Sequence, residues 1–418
     1  MTPHPGEDLV ETPNLNGAMS TTAHASASPA SRVWLTEDDC RLPDFVMLVG
    51  GTTVLGDYPY ADAVEQNVLI YDSDRVRAHT GTVGGHREVE AELARALMDG
   101  PGLVMFKRAF TDLSVVDRAT DAFHAMIADQ RASGATAGDH FAKPGANDRV
   151  WNALEKLAVR EPAVFADYYA NDIIALVCTA WLGPNYQVTS QINVVNPGGA
   201  AQEAHRDYHL GFQSNDLAAQ YPAHVHRLSP VLTLQGAVAH TDMPVETGPT
   251  MYLPHSQKYE PGYLAWRRPE FRAYFDEHYV QLPLAKGDAA FFNPALFHAA
   301  GHNRSADVRR MANLLQVSSA FGRAMESVDR EKMCNAVFPA LLALTKSGTA
   351  DDALRNAVAA CAEGYSFPTN LDRDQPFGGL APETQAELLW RAVQEERDPA
   401  ELRDELQKYA QRRRTDDV

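Results

Sequence analysis

Two histidines and one aspartate in this chain have the residue types and spacing of a mononuclear metal site. His205 and Asp207 lie two residues apart in HRD, and His298 follows much later in PALFHAAGH. Residues two apart on a strand point to the same face, so His205 and Asp207 can bind one ion together. Two imidazoles and a carboxylate on one side of an iron ion leave positions open for oxygen chemistry. The sequence therefore predicts a metal site made of His205, Asp207 and His298.

Competing histidines have to be weighed against this set. His240-Thr-Asp242 and His86-Arg-Glu88 have the same spacing, and with 15 histidines such pairs also arise by chance. The context favours His205, because it follows the alternating stretch YQVTSQINVV and a Pro-Gly-Gly turn, which places it at a strand start beside a cavity mouth. His298 follows a Lys-Gly-Asp turn and an apolar strand, and His302 in the same segment is its competitor.

The elements that must position these residues change in kind along the chain. Helical periodicity is present in REVEAELARALM, in LSVVDRATDAFHAMIADQ with Asp112 or Ser114 as its cap, and in NDIIALVCTAWLG. Strand patterns follow in YQVTSQINVV, VLTLQGAVAH, TMYLP, YVQLPL, DAAFF and RMANLLQVSS, and helical patterns return afterwards. Helices followed by many short strands predict an α+β, mainly β fold, a jelly roll or antiparallel barrel flanked by helices.

Three segments together resemble the phytanoyl-CoA dioxygenase family of iron(II)/2-oxoglutarate enzymes. They are NPGGAAQEAHRDYH, DMPVETGPTMYLPHSQ and KGDAAFFNPALFHAAGHNRSADVRR, and they occur in the order typical of that family. The resemblance covers roughly residues 95–325 and implies a double-stranded β-helix (cupin-like) core. It implies Fe(II) held by His205, Asp207 and His298, with 2-oxoglutarate and O2 as cosubstrates. It also implies hydroxylation of an unactivated carbon of a small molecule, with release of succinate and CO2.

A cosubstrate site is predicted around Arg309. The far carboxylate of 2-oxoglutarate needs neutralisation in an apolar pocket, and a bidentate arginine does this best. Arg309 opens a strand after His298 and has the family's position for this role, whereas Arg310 would point to the opposite strand face. Many relatives carry Ser or Thr where this chain has Ala300, so Thr233 is predicted to supply the hydroxyl. The remaining candidates for cosubstrate hydrogen bonds are strand amides, namely Gln191, Asn193 and Gln235.

Aromatic residues and His209 near the predicted ligands are candidates for the substrate pocket. Trp151, Tyr208 and Phe212 are candidates for pocket walls, although aromatic residues more often belong to the core. For His209, a pocket role and a structural role are equally compatible with the sequence. The aspartate at position 207 favours hydroxylation, desaturation or epoxidation, because halogenases that resemble this family have a small residue there. The sequence does not identify the substrate.

Composition excludes several classes of partner. The formal net charge of −18 argues against nucleic acid, whose phosphates need a basic surface, and gives no support for docking on an anionic membrane. The start of the chain lacks a signal-peptide pattern, and four widely spaced cysteines predict free thiols, so we expect a cytoplasmic protein. The sequence does not decide the oligomeric state.

Four segments are predicted from the composition shifts. Residues 1–32 resemble a disordered tail, 33–90 an N-terminal extension with short strands and turns, 91–325 the oxygenase domain, and 326–418 a helical C-terminal extension. By its position alone, this last extension is a candidate for covering the site's mouth or for a dimer contact.

Two other function classes remain open from the residues alone. A metal-dependent hydrolase could use the same His/Asp set to bind zinc and activate water, and would have no need for Arg309. A non-catalytic binding protein could have kept the barrel and lost the chemistry.

Overall fold

The computed structural model describes residues 33–133, 146–376 and 378–415. The predicted tail of residues 1–32 lies outside the described residues. Within them no single helix is long and apolar enough to cross a membrane. Only Pro162–Tyr169 and Asp172–Leu182, bent by 63° at their junction, pass that test of length and composition as a pair.

Ten strands form the scaffold of the described chain. They are β1 Ala63–Glu65, β2 Val68–Asp72, β3 Leu103–Lys107, β4 Asn147–Val150, β5 Gln187–Val195, β6 Thr233–Ala239, β7 Met251–Leu253, β8 Ala289–Phe292, β9 Phe297–Ala299 and β10 Arg310–Ser318. Eight of them make one sheet in the order β1-β2-β3-β8-β6-β10-β5-β4, and β7 pairs with β9 in a small second sheet. All pairings are antiparallel except that of β2 with β3.

The small sheet is wider than its two strands, because isolated bridges extend it on both sides. His205 pairs with His298 on β9, and Val280 pairs with Tyr252 on β7. The inner faces of the two sheets share one apolar layer that includes Tyr252, Phe292 and Ala312. Two facing antiparallel sheets with this order form the predicted jelly roll, so the predicted fold class is confirmed.

Helices cover both outer faces of this barrel. They are α1 Leu42–Val49, α2 Ser73–Thr80, α3 Gly85–Met98, α4 Leu113–Ala132, α5 Ala153–Arg160, α6 Pro162–Tyr169, α7 Asp172–Leu182, α8 Asn215–Ala218, α9 Ala223–Leu228, α10 Gly262–Ala265, α11 Pro269–His278, α12 Arg330–Lys346, α13 Asp351–Cys361, α14 Gln385–Gln394 and α15 Pro399–Arg413. Helices α3 to α7 lie on the large sheet, and α1 and α11 pack on the outer face of the small sheet.

The short strands predicted near residue 45 are wrong. Leu42–Val49 is a helix, with Pro43 in its first turn and with Phe45 and Val49 buried against the small sheet. Proline is tolerated in the first turn of a helix, where the missing N–H has no intrahelical partner. Later in the N-terminal segment, β1 and β2 join the large sheet through β3. The predicted domain boundaries stay a prediction.

The C-terminal helices share the main core and do not form a separate layer. Val337, Leu341, Leu389 and Leu402 belong to the same buried cluster as the outer face of the large sheet. Arg330 at the start of α12 is buried and donates from Nη2 to the carbonyl of Val188 on β5 at 3.1 Å and from Nη1 to that of Ala360 at 3.3 Å. A buried cation thus ties the extension to the barrel.

We expect Arg330→Ala to lower the free energy of unfolding by about 2–4 kcal/mol, because it removes two charge-assisted hydrogen bonds and leaves buried carbonyls without a donor. Urea denaturation followed by circular dichroism measures the change. Arg403→Ala, at an exposed position on α15, is the matched control and should change stability by less than about 0.5 kcal/mol. Equal effects of the two substitutions would show that Arg330 does not fasten the extension.

Candidate metal and cosubstrate site

Three predicted ligands converge at one edge of the barrel interior. The ligand atoms of His205, Asp207 and His298 all lie within 4.8 Å of one another. Nε2 of His205 is 3.6 Å from Oδ1 of Asp207, and Nε2 of His298 is 3.4 Å from Oδ2. The structure therefore brings His298 next to His205 and Asp207, although His298 is far from them in the sequence.

Backbone pairing sets this geometry. The N–H of His205 donates to the carbonyl of His298 at 2.9 Å, and the N–H of His298 donates back at 3.1 Å. The N–H of Asp207 donates to the carbonyl of Pro294 at 3.1 Å. In an antiparallel pair, residues directly opposite each other lie close together, so the two imidazoles start from neighbouring backbone positions. Their rings are 4.5 Å apart between centroids.

Both histidines present the same ring nitrogen to the site. Nδ1 of His205 is 2.8 Å from the carbonyl of Glu203, and Nδ1 of His298 is 2.8 Å from the carbonyl of Leu296. A carbonyl can only accept, so Nδ1 carries a proton in each ring, and Nε2 is the nitrogen that has the free lone pair when the ring is neutral. Burial lowers the pKa of His205, which favours the neutral ring that binds metal. This is the arrangement in which an outer hydrogen bond fixes the tautomer of a metal ligand.

Asp207 is held in its charged form. Burial opposes ionisation, but His205, His298 and the side-chain amide of Gln235 together hold the pKa of this carboxyl below its usual range. Nε2 of Gln235 donates to Oδ2 of Asp207 at 2.5 Å. Two imidazole nitrogens and a carboxylate on one side of a cavity fit the donor set of a non-haem Fe(II) site. The residues present therefore fit the implied metal.

Gln235 and Gln191 lie inside the barrel but engage other residues. Gln235 positions the Asp207 carboxylate, while Oε1 of Gln191 accepts from Nη1 of Arg149 at 2.8 Å. Nε2 of Gln191 donates to Oε1 of Gln316 at 3.2 Å. Asn193 faces the same interior, pairs in register with Ala312, and has a buried Oδ1 with no hydrogen-bond partner among the described residues.

Thr233 is far from the position predicted for it. It pairs with Ser318 at the last residue of β10, whereas the arginine pair lies at the first residue of that strand or just before it. Nine residues of strand span about 26 Å, which is too far for one small molecule to bridge. Its buried hydroxyl accordingly cannot replace the missing hydroxyl at Ala300 beside the arginine.

Arg309 points away from the barrel interior. Its side chain is 50% exposed, Nη2 contacts Oδ2 of Asp148 at 3.0 Å, and Nε donates to Oδ1 of Asn196 at 2.9 Å. Asp148 lies on the outer face of β4, where Arg131 also binds it at 2.7 Å. The predicted cosubstrate role of Arg309 does not fit this placement, because its guanidinium is already paired outside the barrel.

Arg310 is the arginine inside, which the sequence reasoning missed. It is 6% exposed, and it shares a strand face with Ala312 of the inner apolar layer. Among the described residues no carboxylate pairs with it. Burial lowers the pKa of its guanidinium to about 10, with the phenol of Tyr252 as the nearby group that opposes this. Tyr252 pairs in register with His298 on the facing small sheet, so a buried cation and a ligand histidine belong to the two facing sheets of one barrel.

The chain matches one family model and several solved structures. The model of the family described as phytanoyl-CoA dioxygenase (PhyH) matches residues 86–311, more than half of the chain. No curated protein matches the chain.

Solved structures of similar fold include non-haem α-ketoglutarate-dependent enzymes of nogalamycin biosynthesis. The epimerase SnoN is 19% identical, with 55% of this chain and 79% of SnoN covered and a TM-score of 0.39. It has also been solved in complex with Fe3+, α-ketoglutarate and nogalamycin RO. The carbocyclase SnoK is 21% identical, with 54% and 83% covered and a TM-score of 0.39. AviO1 from Streptomyces viridochromogenes Tue57 is 16% identical, with 56% and 96% covered and a TM-score of 0.41. Because the family model matches residues 86–311, the chain belongs to the phytanoyl-CoA dioxygenase (PhyH) family, which uses Fe(II), 2-oxoglutarate and O2.

Proposed function

We propose that this chain is a 2-oxoglutarate-dependent dioxygenase that hydroxylates an unactivated carbon of a small molecule and releases succinate and CO2. The observation that carries the proposal is the presence, in the barrel of the His205–Asp207–His298 cluster, of a buried arginine, Arg310, which has no carboxylate of the described residues beside it. A metal centre alone suits many reactions, whereas a metal centre with an adjacent anion-binding cation suits a chelating dicarboxylate.

His205, Asp207 and His298 would hold the iron through two Nε2 atoms and a carboxylate oxygen. Gln235 keeps the carboxylate oriented, and the carbonyls of Glu203 and Leu296 keep both imidazoles in the tautomer that can bind. Iron and 2-oxoglutarate together supply the activation of O2 for attack on a C–H bond. The protein provides the fixed ligand geometry that this chemistry needs.

Arg310 would bind the far carboxylate of 2-oxoglutarate, in place of Arg309. A guanidinium buried without a counter-charge is costly, and a bound carboxylate repays this cost with two parallel hydrogen bonds. Asn193, whose Oδ1 is buried and unpaired among the described residues, lies on the neighbouring strand and would contact the same ligand. Both amide and guanidinium are thus assigned to the cosubstrate.

The remaining walls favour oxidation over hydrolysis. Tyr252, Leu296, Phe292 and Leu314 line the interior with apolar surface, which excludes water from the reacting carbon. A zinc hydrolase would need a water-filled site and would have no use for Arg310. Asp207 occupies the position that halogenases of similar sequence leave small, which favours oxygen insertion.

Anaerobic addition of Fe(II) and then 2-oxoglutarate to the apo protein should produce a weak metal-to-ligand charge-transfer band in the visible spectrum. The band requires chelation of iron by the keto acid, so it should be absent with either addition alone and in His205→Ala and Asp207→Ala. Circular dichroism of the variants controls for folding. A folded, metal-binding protein without the band would contradict the cosubstrate assignment and favour the hydrolase.

The two neighbouring arginines allow a matched test of the cosubstrate anchor. Arg310→Ala should raise the concentration of 2-oxoglutarate that half-saturates this band by about 100-fold or more, since it removes a buried charge-assisted pair of about 3 kcal/mol. Arg309→Ala deletes the same charge outside the barrel and should change that concentration less than about threefold, as for an exposed ion pair. The reverse order of effects would return the role to Arg309.

A further inference from the structure

A second group of buried polar side chains is not used by the proposed chemistry. Tyr208 directly follows the ligand Asp207, and Glu326 lies in the segment that joins β10 to α12. Arg149 on β4 is in register with Asn193 and reaches Gln191, so it faces the same space as those two residues. These residues come from three separate parts of the chain.

Two atoms of this group are buried without a hydrogen-bond partner among the described residues. They are the hydroxyl of Tyr208, a residue only 2% exposed, and Oε2 of Glu326. The other oxygen of Glu326 accepts from the backbone N–H of Asn152 at 2.7 Å, which fixes the direction of the carboxylate. Buried polar atoms in native proteins are nearly always paired, so each unpaired one calls for an explanation.

Hydrogen bonds lead from Arg149 towards the metal site. Arg149 donates to Gln191, and Gln191 donates to Gln316. Gln316 is in register with Gln235, which binds Asp207. Burial raises the pKa of the Tyr208 phenol, and the carboxylates of Asp207 and Glu326 raise it further. Burial also raises the pKa of Glu326, opposed by the Asn152 N–H, Lys156 and Arg149. Glu326 is fixed by the N–H of Asn152, two residues beyond the end of β4, the strand that carries Arg149.

The backbone at Tyr208 is held in an unfavourable conformation. Its φ of 62° and ψ of 146° are rare for a residue with a side chain, and His209 follows with φ of 42°. Such strain persists only where the surroundings impose it, and it concentrates at functional sites. The turn after Asp207 thus directs the Tyr208 side chain into the buried position that its hydroxyl occupies.

We propose that Tyr208 and Glu326 determine substrate specificity by binding a hydrogen-bond donor of the substrate, a hydroxyl or an ammonium group, next to the metal. This inference rests on the proposed function. Oε2 of a carboxylate can only accept, so it selects a donor, and the phenol can complete the contact from the metal side. A purely hydrocarbon substrate would leave both atoms buried and unpaired, and the site would discriminate against it.

The test uses the full-length protein loaded with 2-oxoglutarate and with Mn(II) in place of Fe(II). Ethane-1,2-diol and ethanolamine are the probes that carry donors, and 1,2-dimethoxyethane is the ether that lacks them. The longitudinal relaxation of each probe's protons reports binding near the metal, and the Zn(II)-loaded protein gives the diamagnetic background. The same assay is applied to Tyr208→Phe and Glu326→Gln.

We expect relaxation enhancement for at least one donor probe to exceed that for the ether by about tenfold, and to fall by a similar factor in both variants. Tyr221→Phe and Glu401→Gln, which make the same chemical changes at exposed positions outside this group, should leave it unchanged. The Fe(II)–2-oxoglutarate band of each variant, recorded in parallel, reports whether the metal site is intact.

Each remaining outcome is decisive. Equal enhancement for diol and ether, enhancement that survives both substitutions, or no enhancement for any probe while the band forms would overturn the donor-recognition proposal and leave the proposed function standing. Failure of the band in the unmodified protein would overturn the proposed function itself, and this inference with it.

Discussion

Two backbone hydrogen bonds between His205 and His298 hold the site together. They join the segment after β5 to β9, and both imidazoles then start from adjacent positions of one small sheet. The large sheet contributes from the other side, where Gln235 on β6 donates to Asp207. Each sheet alone would leave the carboxylate or the imidazoles unsupported. The metal site therefore depends on the two sheets packing at the right distance, which the shared apolar layer around Phe292 provides.

The sequence singled out His205, Asp207 and His298, which the structure brings together, because their pattern is rare and partly local. A His-x-Asp pair after a strand and turn has few structural reasons to occur, and the fold then needs only to bring His298 opposite. The arginine was harder to predict. The faces of a strand can be told apart from sequence when one is buried and one exposed. In β10 almost every residue is buried, because helices cover the outer face, so the pattern held no signal that separated Arg309 from Arg310.

The same limit explains the missed helix near the N-terminus. Leu42–Val49 is nearly continuous in apolar residues, and a short apolar run does not distinguish helix from strand. Only Pro43, in the first turn, favoured a helix. The C-terminal helices were predicted from their periodicity, but the surface against which they pack was not. An amphipathic pattern shows that one face of a helix is buried and does not show which element covers it. Arg330 binding a carbonyl of β5 is a contact that no local pattern could indicate.

The chain beyond the family match also contributes a residue to the proposed substrate site. The family match ends at residue 311, and Glu326 lies in the segment that follows, before α12 begins. A residue in this connecting segment can vary without disturbing the metal ligands, since its backbone lies outside the strands.

Electrostatic screening determines which charges act on a ligand inside the barrel. The chain carries a formal charge of −18, but beyond about 8 Å exposed charges are largely screened at physiological ionic strength. An entering ligand therefore meets mainly the nearby charged groups, which include Asp207 and Arg149 as well as Arg310 and Glu326. Among these, we propose that Arg310 neutralises an anionic cosubstrate and that Glu326 selects a donor on a second molecule.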